Sequence, residues 1–213
     1  MEKKNLYIVG AGGFGREIFS ALSSMAEYGD SFSVAGFLDD NPNVLDGYEG
    51  YPRIVGSLND FKVQLGDVFF VAIGNVEVRR KCVQKIREKG GAFISLVHPS
   101  ASIGKNVKLG EGVYIAHNAV LTADIEVGDN SYVFHSSTIG HDVKIGFCSH
   151  ISSQVFLGGG VKVGDCVTIQ PGSKVVPRVD IKDGAEVGIG SVVITNVKAG
   201  IKVFGNPAVK LPI

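Results

Sequence analysis

The sequence predicts a Rossmann-like α/β unit at the N-terminus followed by a parallel β-helix, and three observations carry that prediction. Counting in sixes from Ile103 meets an aliphatic residue at every stop, through Leu109, Ile115, Leu121, Val127 and Val133 to Val187 and Val193. The position four residues after each aliphatic, from Val107 to Val197, holds only small or β-branched residues, and the position directly after it is often glycine, as at Gly104, Gly110, Gly128 and Gly140. Ahead of the repeat, Leu6–Val9 leads into Gly10-Ala-Gly12-Gly13-Phe-Gly15 and a helical stretch. Strand, glycine turn and helix are the context that such a glycine motif requires.

A period of six excludes a helix, because six is not a multiple of 3.6 and the aliphatic column would wind around the axis. Glycine in the second slot would also weaken each turn. A short strand plus a bend fits, with the aliphatic pointing inward and successive coils stacked. Each inward aliphatic gains about 1.5–3 kcal/mol on burial, and ordering the chain offsets most of it.

The chain has 213 residues, with 21 basic and 21 acidic side chains and a pI near 7.0. That balance gives no electrostatic reason to expect nucleic acid or an anionic membrane surface. The opening residues lead into only four apolar positions, so no secretory leader is expected, and no apolar run approaches a membrane span. The expected location is the cytoplasm. Cys82, Cys148 and Cys166 are too few for a disulfide framework. Cys148 and Cys166 are close enough to bridge if they stack, although reduced thiols suit a cytosolic protein better.

In order along the chain, Leu6–Val9 is a strand and Arg16–Met25 a helix. Ser33–Leu38 is a second strand ending in Asp39-Asp40, where an acidic residue commonly meets a ribose hydroxyl. Val68–Ile73 is a third strand ending at Gly74-Asn75. Glu77–Lys89 is a helix with apolar Val78, Cys82, Val83 and Ile86, and Ala92–Val97 is a fourth strand. Residues 1–97 thus form the α/β domain and residues 98–213 the β-helix. This N-terminal part holds only about one mononucleotide half, so a mononucleotide moiety fits it better than NAD. A glycine turn that merely packs helix on strand is the plain alternative. Ala199–Ile213 leaves the six-residue register and reads as a cap for the open solenoid end.

Four of the five histidines lie on the repeat. His117 and His135 are 18 residues apart and would stack with three hexapeptides per coil, but Ser153 follows them and no further ligand continues the column, so no metal is expected. His141 adjoins Asp142, a carboxylate able to hold one ring nitrogen and leave the other as base. Its column, Ala123, His141, Gly159, Pro177, is small on either side. Gly158-Gly159-Gly160 offers backbone N–H groups to an oxyanion. Spacing alone leaves His141 open as either a solvated corner residue or a base.

These pieces together resemble the hexapeptide-repeat sugar acetyltransferases, the group related to sialic acid O-acetyltransferase and to bacterial nucleotide-aminosugar N-acetyltransferases. The resemblance rests on Ile8-Val-Gly10-Ala-Gly-Gly13-Phe-Gly15, Phe37-Leu-Asp39-Asp40, Ala72-Ile-Gly74-Asn75 with Arg79-Arg80-Lys81, and Val97-His98-Pro99-Ser100-Ala101. It continues with Gly140-His141-Asp142, Ser149-His150 and Gly205-Asn206-Pro207-Ala208. It implies a left-handed triangular β-helix, a homotrimer with sites between subunits, and acetyl-CoA as co-substrate with no permanently bound cofactor. It implies His141 as general base and Asp142 as its orienting partner. His150 and Gly159 would meet the acetyl group, and Gly188, Gly190 and Asn206 would line the CoA groove. Gly12, Gly13, Asp39, Asp40 and Asn75 would hold a nucleotide sugar. One position departs from the group: Phe14 stands where several relatives carry histidine.

The expected activity is therefore acetyl transfer to the amine of a nucleotide-linked 4-amino-4,6-dideoxysugar. Acetylation of a hydroxyl, for example on sialic acid, is the alternative. A non-catalytic nucleotide-sugar-binding trimer is weighed against the intact His141-Asp142 pair, and an NAD-dependent oxidoreductase against the repeat.

Overall fold

The computed structural model describes residues 3–25 and 28–211. Residues 1 and 2, at the expected start, and the last two residues of the expected cap lie outside that range. The chain divides into two compact units, one ending at Ile94 and the other beginning at Ser95.

The first unit is a parallel sheet of β1 (Lys4–Val9), β2 (Phe32–Leu38), β3 (Ile54–Gly56), β4 (Asp67–Val71) and β5 (Ala92–Phe93), in the order β3-β2-β1-β4-β5. Two helices accompany it, α1 (Gly13–Leu22) and α2 (Val76–Glu88). Leu6, Ile8, Phe69, Phe70 and Val71 are all buried, the near-continuous apolar reading of strands covered on both sides. Each helix buries one stripe, Gly15, Ile18 and Leu22 on α1 and Arg79, Val83 and Ile86 on α2. The strand order reverses between β1 and β4, and in open α/β sheets ligands bind at the carboxyl ends beside such a switch point.

Two elements differ from expectation. β3, only three residues long, has no sequence signal of its own and extends the sheet beside β2. The stretch expected as one strand, Ala92–Val97, is two. Ala92–Phe93 pairs with β4, whereas Leu96–Val97 pairs with Tyr114–Ile115 in the second unit. The amides decide it: Ile94 N–H donates to Phe69 O, but Leu96 N–H donates to Val113 O.

The second unit is a parallel β-solenoid in which each coil contributes a two-residue strand to each of three sheets. Face A runs from Leu96–Val97 through Tyr114–Ile115 to Glu186–Val187, face B from Ser102–Ile103 to Val192–Val193, and face C from Lys108–Leu109 to Asp180–Ile181. Neighbouring strands are 18 residues apart, as in Thr138↔Phe156 and His150↔Thr168. The core is the two inward columns read from the sequence, with Ile115, Leu121, Ile139, Ile151, Leu157 and Ile169 fully buried. Serines in the second inward column are buried too, and each bridges to the next coil. Ser149 Oγ donates to Gly164 O at 2.7 Å and accepts from Val167 N at 3.0 Å, which satisfies groups that burial would otherwise penalise.

A further column went unread in the sequence. The residue three after each aliphatic from Ile103 to Val187 takes positive φ: Asn106, Asn118, Asp124, Asn130, Asp142 and others, with glycine at Gly112, Gly160, Gly172, Gly184 and Gly190. Its Asn, Asp and Gly content is the signal of left-handed backbone. At the end of the solenoid the spacing shortens, with Val187 pairing with Val203. Lys202–Gly205 continues face A, and Ala208–Lys210 folds back antiparallel beside it. The three cysteines are thiols.

Candidate active site

The corner between faces B and C places His141 and Asp142 together. Asp142 occupies the positive-φ slot at 60°. Its N–H donates to Ala123 O in the coil before, and His141 O accepts from Gly160 N in the coil after, so this dipeptide is pinned from both sides. His141 Nδ1 lies 2.7 Å from Asp142 Oδ2. An ionised carboxylate only accepts, so Nδ1 carries the proton and Nε2 presents a lone pair. Both side chains are accessible, at 71% and 66% exposure. Gly159 in the next coil lies against the imidazole: a Cβ there would stand 2.5 Å from His141 Nε2. The ring can keep this position only with glycine beneath it.

The same corner leaves a backbone donor open. At the corner between faces C and A, three equivalent N–H groups are capped by aspartates one coil on. Glu111 N donates to Asp129 Oδ1 at 3.0 Å, Phe147 N to Asp165 Oδ1 at 2.7 Å, and Asp165 N to Asp183 Oδ1 at 2.9 Å. One coil beyond His141 and Gly159 stand Gly159 and Pro177, which have no side-chain acceptor. Gly159 N–H donates to no group of the described residues. A general base beside an uncapped N–H is the pairing that acyl transfer uses, one to take a proton and the other to meet an oxyanion.

The remaining residues expected to line the donor site lie elsewhere on the solenoid. His150 is on face A, in strand His150–Ile151, stacked on Phe134 at 4.6 Å between centroids. Gly188 follows face A's Glu186–Val187, and a Cβ there would overlap Phe204. Gly190 has φ 65° at the corner between faces A and B. Asn206 sits in the turn of the terminal hairpin, before a cis peptide to Pro207. In a three-sided solenoid, face A is opposite the corner that carries His141. Within one chain, the structure thus joins His141, Asp142 and Gly159 and separates them from His150, Gly188, Gly190 and Asn206.

The A–B corner carries a column of imidazoles. His98 and His117 have centroids 5.7 Å apart, His117 and His135 4.3 Å apart, and Ser153 Oγ lies 3.5 Å from His135 Nδ1. Burial pushes the His98 and His135 pKa values below their ordinary value, and neighbouring imidazoles push the same way. Among the described residues, no group of three or more His, Cys, Asp or Glu could hold a metal, and no helix is long and apolar enough to cross a membrane.

In the first unit the glycine loop splits into two kinds of glycine. Gly10 has φ 95° and a Cβ there would meet Ala72 O at 2.9 Å, while Gly15 packs on the Gly10 carbonyl. Both are required by the fold. Gly12 and Gly13, and Gly74 after β4, lack positive φ and a Cβ would meet nothing within 4 Å. Nothing within the unit requires glycine at these three positions, which flank the switch point. Asp39 is half-buried at the end of β2. Its Oδ2 accepts from Ala11 N at 2.8 Å and its Oδ1 from Asn41 N at 2.9 Å, so it ties the glycine loop to the end of β2. Asp40 is exposed. Asn75 caps α2, its Oδ1 accepting from Val78 N at 3.0 Å. Sequence reasoning missed Gly74, the buried Arg79, whose Nη1 donates to Ile73 O at 2.9 Å, and Arg16, whose guanidinium lies 3.4 Å from the centroid of the Tyr48 ring. Gly74 and Arg79 lie in a stretch that carries the family resemblance but implies no role for them, and Arg16 shows itself only by its contact.

Residues 5–86 match the PglD N-terminal domain family and residues 74–189, more than half of the chain, the GMPPB C-terminal domain family. The chain is 33% identical over 117 residues to UDP-N-acetylbacillosamine N-acetyltransferase of Bacillus subtilis strain 168; the match spans 53% of this chain and about half, 51%, of that protein. It is similar in structure to the acetyltransferase domain of PglB from Neisseria gonorrhoeae FA1090, with 27% identity, a TM-score of 0.87, and coverage of 98% of this chain and 100% of the other. It is likewise similar to a histidine-to-asparagine mutant of perosamine N-acetyltransferase from Caulobacter crescentus in complex with CoA and GDP-perosamine, with 29% identity, a TM-score of 0.88, and coverage of 98% and 97%. Fold and corner define a solenoid with an oriented imidazole and an open backbone N–H on one edge. The chain belongs to the hexapeptide-repeat sugar acetyltransferase family.

Proposed function

We propose that the protein transfers the acetyl group of acetyl-CoA to the amine of a nucleotide-linked 4-amino-4,6-dideoxysugar in the cytoplasm. The observation that carries this reading is the His141 Nε2 lone pair, set by Asp142 and placed beside the uncapped N–H of Gly159. The neutral amine attacks the thioester carbonyl carbon, forming the C–N bond and moving the carbonyl electron pair onto oxygen. Gly159 N–H donates to that oxyanion. His141 Nε2 removes a proton from the attacking nitrogen, and Asp142 stabilises the imidazolium. Collapse breaks the C–S bond, and the imidazolium returns its proton to the departing thiolate, leaving an amide and CoA. No acyl-enzyme is required, because the amine attacks the thioester directly.

The first unit holds the nucleotide sugar at its switch point, against Gly12, Gly13 and Asn75, with Asp39 fixing the loop and Asp40 exposed beside it. The relatives' names, an aminosugar N-acetyltransferase and a perosamine N-acetyltransferase with CoA and GDP-perosamine, support this reading. Acetyl-CoA reaches His150, Gly188, Gly190 and Asn206 only if a second copy brings its face A to the B–C corner of the first. A cyclic homotrimer meets that requirement with identical contacts at each site.

The test is acetyl-CoA-dependent thiol release with UDP-, dTDP- and GDP-linked 4-amino sugars and free sialic acid, followed by mass spectrometry. Turnover of a nucleotide amino sugar is expected; turnover of sialic acid alone would overturn the assignment. His141→Asn is expected to lower turnover by about two to four orders of magnitude while the assembly persists by size exclusion. Retained activity would remove His141 from the base role.

A further inference from the structure

The positive-φ column at the B–C corner reads Asn106, Asp124, Asp142, Gly160, Arg178. Its polar side chains are matched locally with one exception. Asn106 Nδ2 donates to Asp124 Oδ1 at 2.8 Å, and Asp142 pairs with His141. The Arg178 guanidinium makes no hydrogen bond or ion pair among the described residues. It is exposed, with φ 64°, a conformation that favours glycine, asparagine or aspartate and penalises a bulky side chain. An arginine that is held in unfavourable backbone and bonded to nothing is unexplained by the fold.

Its surroundings suggest a ligand. Arg178 lies two coils past Asp142, about 10 Å along the solenoid at ~4.8 Å per strand spacing. Between them are only Gly159 and Gly160, so a notch without side chains separates imidazole from guanidinium. A Cβ on Gly160 would contact Arg178 Cγ at 3.5 Å. On the two adjoining faces, Lys174 beside Phe156 and Lys162 beside Asp180 are exposed. Lys174 also lacks an ion pair among the described residues. Three cations thus collect around the corner on the C-terminal side of His141, where acid had dominated the column above.

We propose that Arg178, flanked by Lys174 and Lys162, binds phosphate groups of the acetyl donor, while the pantetheine arm lies along the Gly159-Gly160 notch with its thioester at His141. This rests on the acetyl-transfer reading of the corner. A planar guanidinium recognises phosphate bidentately, and the donor carries a diphosphate and a 3′-phosphate at the end remote from its thioester. A nucleotide sugar also carries a diphosphate. The donor is favoured because its arm bridges the two-coil interval from the base and because Gly188 and Gly190, which follow face A in the C-terminal coils, would line the donor's path in the trimer.

The experiment is calorimetric titration of wild type and Arg178→Gly with CoA, pantetheine and a panel of UDP, dTDP and GDP. Glycine suits φ 64°, so the variant should unfold at the same or a higher temperature and keep its oligomeric size, which separates binding from folding. The expected result is a rise of at least tenfold in Kd for CoA, with Kd for pantetheine and the nucleotides unchanged. An unchanged Kd for CoA would overturn the proposal, as would a loss confined to a nucleotide. A wild type that binds a nucleotide but no CoA would instead defeat the acetyl-transfer reading, and this proposal with it.

Discussion

Gly159→Ala isolates the geometry of the corner from its chemistry, because no ionisable group is removed. The new Cβ would stand 2.5 Å from His141 Nε2 and 2.6 Å from Cε1. Ordinary carbon contacts are about 3.5–4.0 Å, so the imidazole must retreat by about 1 Å. It can do so cheaply, since its side chain is 71% exposed. Gly159 lacks positive φ, so alanine meets no backbone penalty, and it removes freedom from the unfolded chain, worth about 0.4–1 kcal/mol in favour of the fold. Thermal stability should therefore hold or rise slightly. Catalysis should not hold, because a displacement of about 1 Å costs on the order of 100-fold in rate, or about 2.7 kcal/mol of barrier. The assay is kcat and KM by thiol release together with the unfolding temperature. The signature is a fall in kcat with both KM values close to wild type. A variant that turns over within threefold of wild type would refute the claim that the ring's position above Gly159 matters.

Two further outcomes follow from features outside that corner. Gly12→Ala places a methyl where nothing lies within 4 Å, so the unfolding temperature should hold while KM for the nucleotide sugar rises at least tenfold and KM for acetyl-CoA stays put; unchanged sugar KM would make the loop purely structural. The imidazole column makes stability depend on acid. His98 and His135 have pKa values depressed below the ordinary 6.5, by burial first and then by neighbouring imidazoles, so the unfolded chain binds protons more readily than the fold. Their contribution is complete above pH about 6.5 and is lost as pH falls below it through the folded values. Urea midpoints at pH 7.5 and pH 5.5 should differ less in His135→Asn than in wild type, and an equal difference would sink the idea.

The solenoid was legible because its two inward columns obey one rule throughout: apolar at Ile139 and Leu157, small or β-branched at Val143 and Ser149. Burial selects such residues one position at a time, so the pattern survives in the bare sequence. The N-terminal sheet was legible for the same reason along β1 and β4. β3 was not, because three residues at an edge bury too little to impose a pattern. The break between Phe93 and Leu96 was hidden because both halves are apolar, and only the acceptors of their amides distinguish them. Asp39 was legible as an acidic residue after β2, but its hydrogen bond to Ala11 was not, because that bond depends on a loop 28 residues earlier in the chain.

The candidate site shows the same limit in sharper form. His141-Asp142 is a neighbour pair and could be read directly. Its relation to His150 could not, since nine residues sound close, yet half a coil of 18 carries the chain from a corner to the opposite face. Counting in eighteens rather than sixes recovers more. At the C–A corner that count runs through Asp129, Phe147, Asp165 and Asp183, and its three aspartates each cap an N–H of the preceding coil. At the B–C corner it runs through His141, Gly159 and Pro177, where a cap has been replaced by a hydrogen atom and by an imino acid. By the pattern of the C–A corner, an aspartate at Gly159 would cap the His141 N–H and crowd the imidazole, and one at Pro177 would cap the Gly159 N–H. Glycine and proline at these two positions leave open the N–H that the proposed transfer would use.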